Sequence, residues 1–421
     1  MSAQLPAQAE RNRGVSTMFR ALRHRNFLLF WSGAFLSNTG TWMQAVAQGW
    51  LVLQLSNSAF WLGLDAFMST APGLVFTLVG GVFADLIDRR KLLIYSQIIS
   101  GVTALVLGIL VATGSVKVWM ILVLSFVTGS CMSIAAPSYM ALVFDLVGHD
   151  DLANAIALNS TQFQLARALG PVAAAIAFKV FGLSGCFFVN AVSFAGVVIG
   201  LAMVRYDRTL NPQRPAEEPV RGRFLANLIE GFRYVARRPR VSMLLIISAF
   251  TSLFGAPYIA MAPIFARDVL RLGETGLALL MGTAGAGSLF GALCLAYLGD
   301  FRRKGWSVLG GCLGFALCLI GFSLSTNVVL SIIFLFAMGF AIVCSVAVTN
   351  TLLQKLVTDE MRGRVMSMFM LSFIGAMPIG NLIAGAASHR FGAPRTLAVG
   401  GLIITIFVVL VMLRSPRLRE L

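Results

Sequence analysis

Run after run of apolar residues, each about as long as a membrane crossing, dominates this sequence. One of them, Leu92 to Gly114, reads LLIYSQIISGVTALVLGILVATG and holds no charged side chain. About 20 apolar residues in a helix span a bilayer. Inside hydrocarbon only helices and closed barrels satisfy their own backbone polar groups. The runs are far longer than the roughly ten alternating residues of a barrel strand. The chain therefore reads as an all-α polytopic membrane protein. Its charged fraction agrees, at 12% of 421 residues, where a soluble domain holds roughly 25%.

Charged and turn-forming breaks divide the chain into twelve spans. They lie near 26–54, 59–86, 91–113, 117–146, 152–178, 183–204, 241–266, 275–299, 305–325, 328–355, 362–388 and 394–413. A polar, proline-bearing stretch, RYDRTLNPQRPAEEPVRGRF, separates two groups of six. The expected organisation is an N-terminal tail over 1–25 and a six-helix bundle over 26–204. A central loop over 205–240, a second bundle over 241–413 and a tail over 414–421 follow. Phe224, Leu225, Leu228, Ile229, Phe232 and Val235 share a helical stripe in that loop. They fit either a helix lying on the membrane surface or an extension of span 7.

Lys and Arg set the expected orientation. Of 33, 26 lie on the side of the N-terminus and six on the other, with Arg167 alone inside a span. The positive-inside rule then places both termini in the cytoplasm, in a cell's inner membrane. The N-terminal charges lead directly into a segment too long for a signal h-region, so no cleavable signal is expected.

The halves repeat. Leu146 aligns with Leu356, Phe163 with Phe373, Gly170 with Gly380, and Phe181-Gly182 with Phe391-Gly392, at a constant offset of 210 (356 minus 146). A short charged hinge also recurs, as GGVFADLIDRRK from Gly80 and as GDFRRKG from Gly299. Such a repeat points to two pseudo-symmetric bundles with a substrate path between them.

These features resemble the major facilitator superfamily over essentially the whole chain. The hinge from Gly81 resembles its signature loop, and GDFRRKG a degenerate second copy. RNFLLFWSGAFLSNTGTWMQAVAQGWLV, the hinge and ARALGP resemble most closely the branch of the enterobactin exporter and the drug:proton antiporters. The resemblance implies the major facilitator fold, with twelve helices in two six-helix bundles. It also implies a secondary transporter, exporting a siderophore, drug or toxic metabolite by proton antiport through alternating access. An importer or facilitator of a metabolite is the alternative within the superfamily. A transport-dead sensor or scaffold is the alternative outside it.

The resemblance also assigns a conformational latch. Gly81, Asp85, Arg89 and Arg90 form its first copy, with Asp145 at the end of span 4, and Asp300, Arg302 and Arg303 form the second. Asp85 would accept hydrogen bonds from the start of span 11. Asp300 would do so from the start of span 5, near Asp151 to Asn154, and Arg89 would bridge Asp85 to Asp145. Topology and lipid-phosphate binding are the competing reading of the bases. The family form often has glycine before the arginine, where Asp88 stands here; positioning Arg89 or Arg90 is one role for it.

Ionisable groups inside a span are costly, and mark function by default. Arg167 and Asp65 are the candidates for substrate or proton handling, and by depth along their helices they could pair. Asp65 also reads as an interfacial acid reaching water. Span 1 carries a polar stripe, Asn38, Thr41, Gln44 and Gln48. Span 5 offers Asn159 and Gln162, span 7 Tyr258 between Pro257 and Pro263, and span 10 Thr349 and Asn350. Gly170 and Pro171 in ARALGP fit either an antiporter motif or a small-residue packing face. The expected partners are a small-molecule substrate, protons and membrane lipid, without nucleic acid, and the expected working unit is a monomer. No phosphate-binding loop, metal cluster or catalytic constellation appears, so neither a cofactor nor enzyme activity is expected.

Overall fold

The computed structural model describes residues 19–76, 88–204, 230–299, 301 and 303–414. These residues are helical apart from short corners, with no strand among them. Helix α1 is Arg25–Ser56, α2 Ala59–Phe76 and α3 Arg89–Ala112. A continuous run, Val118–Met203, contains α4 (118–147), α5 (149–181) and α6 (183–203). Then come α7 Pro239–Val269, α8 Gly273–Leu298, α9 Lys304–Leu324, α10 Val328–Leu356, α11 Asp359–Phe391 and α12 Ala393–Arg414. Among the described residues, nine helices reach membrane length and apolarity. The 86-residue run counts three times, and the more polar α1 adds one. The described residues thus cross twelve times.

Single residues make the corners. Gly148 (φ 70°, ψ −171°) divides α4 from α5, and Gly182 (φ 68°, ψ −171°) divides α5 from α6. That backbone region is open almost only to glycine. Gly392, the repeat partner of Gly182, takes φ 85° at the α11–α12 corner. Elsewhere polar caps decide. Asn57 adopts a left-handed conformation after α1, and the Ser58 side chain accepts the Phe60 N–H to start α2. Asp88 accepts the Lys91 N–H and starts α3. Asp88 thus caps this helix through its side chain. The α7 helix breaks before Pro257, which places Tyr258 at the start of its second segment.

Helix contact in a bilayer depends on close backbone approach, which small residues permit. A Cβ on Gly170 would collide with Trp42 of α1, and one on Gly380 with the Leu253 carbonyl of α7. Thus α5 crosses α1 as α11 crosses α7. The contacts between halves follow the same symmetry. A Cβ on Gly63 of α2 would stand 2.6 Å from Gly385 Cα of α11, and one on Gly285 of α8 2.6 Å from the Arg167 carbonyl of α5.

The apolar core is asymmetric along the membrane normal. At the end away from the hinges, one cluster joins both halves, from Val46, Trp50, Leu62 and Phe178 to Phe265, Leu277 and Phe315. At the hinge end there are two separate clusters. Phe27, Phe30, Leu142 and Leu158 belong to the first half, and Leu244, Leu353, Met361 and Val365 to the second. The polar contacts between halves also lie at the far end: Ser58 Oγ with His389 Nδ1 at 3.2 Å, and Arg267 donating to Leu53 O and Asn57 Oδ1. Among the described residues, the halves are sealed at that end and separate at the hinge end.

Each half also clasps its own leading segment. Arg20 Nε and His24 Nε2 meet the two oxygens of Asp151 at 2.9 and 2.8 Å, and Ala21 N–H donates to Asn154 Oδ1. In the second half the turn at 230–236 lies at the α10–α11 corner. Glu230 pairs with Arg364 at 2.8 Å, and Tyr234 Oη accepts the Thr358 N–H. Of the apolar stripe expected in the central loop, Phe224 to Ile229 lie outside the described residues. Phe232 is exposed and Val235 buried.

Candidate functional site

Between the halves, at the level of the seal, lies a small cleft. Trp42 of α1 and Arg167 and Pro171 of α5 face Tyr258 and Ile259 of α7, Met281 of α8 and Phe322 of α9 across it. Close packing of Gly170 on α1 brings Arg167, one turn before it, beside Trp42, with the guanidinium carbon 5.5 Å from the ring centroid. The break in α7 delivers Tyr258, whose Oη accepts from Arg167 Nη2 at 3.2 Å. Phe163 meets Trp42 edge-on at 6.0 Å, and Phe315 meets Tyr258 at 6.2 Å. Among the described residues Arg167 forms no ion pair. Its charge rests on an aromatic face, worth roughly 0.5–2 kcal/mol according to desolvation, and on one neutral hydroxyl.

Asp65 lies elsewhere. Only 8% exposed, it sits within the first half, where Gln48 Nε2 reaches its two oxygens at 3.0 and 2.9 Å and Ser125 Oγ donates at 2.6 Å. Gln44 Nε2 donates to Gln48 Oε1 at 3.4 Å, and Asn190 Nδ2 donates to Gln44 Oε1 at 2.6 Å. Ser193 Oγ donates in turn to Asn190 Oδ1. A polar chain thus runs through α1, α2, α4 and α6. Three carboxylates are nearly buried among the described residues: Asp145, Asp151 and Asp65. The first two face bases at helix ends, and Asp65 faces none. The pairing of Asp65 with Arg167 expected from depth is absent from this conformation. The two helices present these side chains in different directions, one toward α1 and α4, the other toward α7.

The hinge residues divide. Gly81, Asp85, Asp300 and Arg302 lie outside the described residues. Arg89 Nη1 meets Asp145 Oδ2 at 3.0 Å, with the Asp145 side chain 3% exposed. Arg90 Nη2 donates to the Ala202 carbonyl at 2.7 Å, tying α3 to the end of α6. Arg303 takes a left-handed conformation (φ 63°) just before α9.

The remaining polar candidates are scattered. Thr41 donates back to Ser37 O, and Asn38 is partly buried on the same helix. Asn159 Oδ1 accepts from Tyr139 at 3.5 Å, while the Asn159 and Gln162 amide nitrogens are buried without a partner. Thr349 is buried, and Asn350 accepts from Gln354 on its own helix. The sequence-based reading missed Asn190, Ser125 and Asn381. All three are polar residues isolated in apolar spans, and that isolation was the available signal. Both side-chain polar atoms of Asn381, beside the Gly63 seal, are buried without a partner.

A family model described as transmembrane secretion effector matches residues 16–421. Macrolide efflux protein A of Streptococcus pyogenes is 22% identical over 398 residues, 94% of this chain and 97% of that protein. The enterobactin exporter EntS of Escherichia coli is 24% identical over 406 residues, 94% of each chain. Among solved structures the nucleoside transporter NupG superposes with a TM-score of 0.75 at 10% identity, covering 92% of this chain and 98% of that one. At that identity the likeness establishes the fold alone.

Proposed function

Since the chain belongs to the transmembrane secretion effector family of the major facilitator superfamily, we propose that it exports small amphipathic molecules by proton antiport, its two halves exposing the cleft to each side of the membrane in turn. Export, against import, follows the family and its relatives. The macrolide efflux protein and the enterobactin exporter among those relatives support export of small organic molecules. The observation that carries alternating access is the one-ended core, joined at the far end and divided at the hinge end. With the hinges in the cytoplasm, as the distribution of Lys and Arg favours, this is the inward-open state in an inner membrane, with both termini inside. The working unit is a monomer of two bundles, 26–204 and 241–413.

Asp65 is the proton carrier in this reading. It is the buried carboxylate that faces no base, and Gln48 and Ser125 can hydrogen-bond its oxygens. The Arg89–Asp145 pair belongs to the latch. When the hinge end closes, Asp85 meets the start of α11, and Asp300 the start of α5. Accumulation of anionic, neutral and cationic fluorescent amphiphiles in intact cells tests the proposal. Collapsing the proton gradient at constant ATP should raise accumulation of exported members. Asp65→Asn should remove that sensitivity while the protein remains inserted. Uphill export that persists without any ion gradient would sink it.

A further inference from the structure

Arg167 is a cation without an anion in a cleft that is otherwise aromatic and aliphatic. Among the described residues no carboxylate pairs with it, and Tyr258 and the Trp42 face are the partners it has. A guanidinium presents five N–H donors, and Tyr258 accepts from one of its nitrogens. By accepting from Arg167, Tyr258 also leaves its own O–H free to donate into the cleft. Held against Trp42, the guanidinium plane can present its edge, the geometry that receives a carboxylate on two parallel hydrogen bonds. No other base lines the cleft, so a single negative charge fits, and a cation would face uncompensated repulsion. Ile259, Met281, Phe322 and Leu335 line the remainder. An aromatic ring and a thioether there favour a flat ring over a flexible chain.

We infer that Trp42, Arg167 and Tyr258 form a recognition site for small planar aromatic monocarboxylates, with the carboxylate on the Arg167 edge and the Tyr258 hydroxyl. This rests on the export reading in taking the cleft as part of the substrate path, and narrows it to one ligand class. The site joins α5 of one half to α7 of the other, so a bound carboxylate would bridge the halves at their seal.

Calorimetry on the full chain in lipid nanodiscs tests it, with 2-naphthoate, the neutral 2-naphthalenemethanol and the cationic 2-naphthylmethylammonium as probes. Charge-assisted hydrogen bonds predict naphthoate binding about tenfold or more tighter than the alcohol, and the ammonium weakest. Arg167→Gln should erase the preference, Arg167→Lys should keep part of it, and Tyr258→Phe should weaken naphthoate alone. Equal affinity of naphthoate and the alcohol for the unmodified protein, a comparison that needs no variant to fold, overturns the inference. So does absence of naphthoate binding, or a preference that survives in a folded Arg167→Gln protein. The accumulation assay separates the two readings. An Arg167-dependent preference without gradient-driven efflux leaves the site standing and export failing. Gradient-driven efflux without the preference does the reverse.

Discussion

The seal between α2 and α11 offers the sharpest perturbation of the conformational balance. At Gly63 an added Cβ would stand 2.5 Å from the Asn381 carbonyl oxygen and 2.6 Å from Gly385 Cα. Carbon atoms rest at about 3.5–4.0 Å, so Gly63→Ala must push the helices apart by about 1 Å. Both obstacles are backbone and cannot rotate away. Overpacking of this kind costs roughly 1–3 kcal/mol. The cost falls on the state with the far end closed and is relieved when that end opens. The equilibrium should therefore move roughly 5–150-fold toward the state closed at the hinge end. Spin labels in a cysteine-free background would read it, one pair at Asp150 and Glu360 near the hinge end, another at Lys117 and Arg390 at the far end. The first distance should shorten and the second lengthen. A folded Gly63→Ala protein with both distributions unchanged would refute the idea that this glycine contact holds the seal.

Three other outcomes follow from the same coordinates. Gly182→Ala places a side chain at φ 68°, ψ −171° and should cost about 1–3 kcal/mol, read as a lowered midpoint in thermal unfolding in detergent. Arg267→Gln removes the donors to Leu53 O and Asn57 Oδ1 and should move the spin-label distances as Gly63→Ala does, by a smaller amount. Arg89→Gln removes the ion pair from Arg89 Nη1 to Asp145, whose side chain is 3% exposed. It should lower thermal stability by about 1–3 kcal/mol, and Asp145→Asn in the same protein should restore part of it.

The repeat was legible because the same backbone problem is solved twice. Gly182 and Gly392 turn matching corners, and Gly170 and Gly380 admit matching helix crossings. Those requirements fall on single residues, and single residues are what an alignment compares. Depth was legible too, since rise per residue is fixed. Azimuth was not. Asp65 and Arg167 stand at similar expected depths, yet one joins a polar chain inside the first half and the other faces Tyr258 across the cleft. Helix rotation is set by neighbours distant in sequence, 91 residues away in the Arg167–Tyr258 bond. The Arg20 and His24 clasp on Asp151 escaped notice for the same reason. The capping bond from the Lys91 N–H to Asp88 was not legible either, because adjacent bases drew the eye from the backbone.

The two clasps carry opposite polarity. In the first half the leading segment supplies the cation, Arg20, with His24 beside it, and the corner supplies the acid, Asp151; in the second, Glu230 leads and Arg364 receives. A chain built from two similar halves risks confusing them while it is being made, because each leader could dock on either corner. Here the exchanged pairing would set Arg20 against Arg364 and Glu230 against Asp151, like charge against like. Mispairing is thus penalised by repulsion as well as by lost contacts. The first leader must also wait until well over a hundred further residues have emerged from the ribosome before Asp151 is available. The charge reversal thus opposes exchange of the two leaders between bundles.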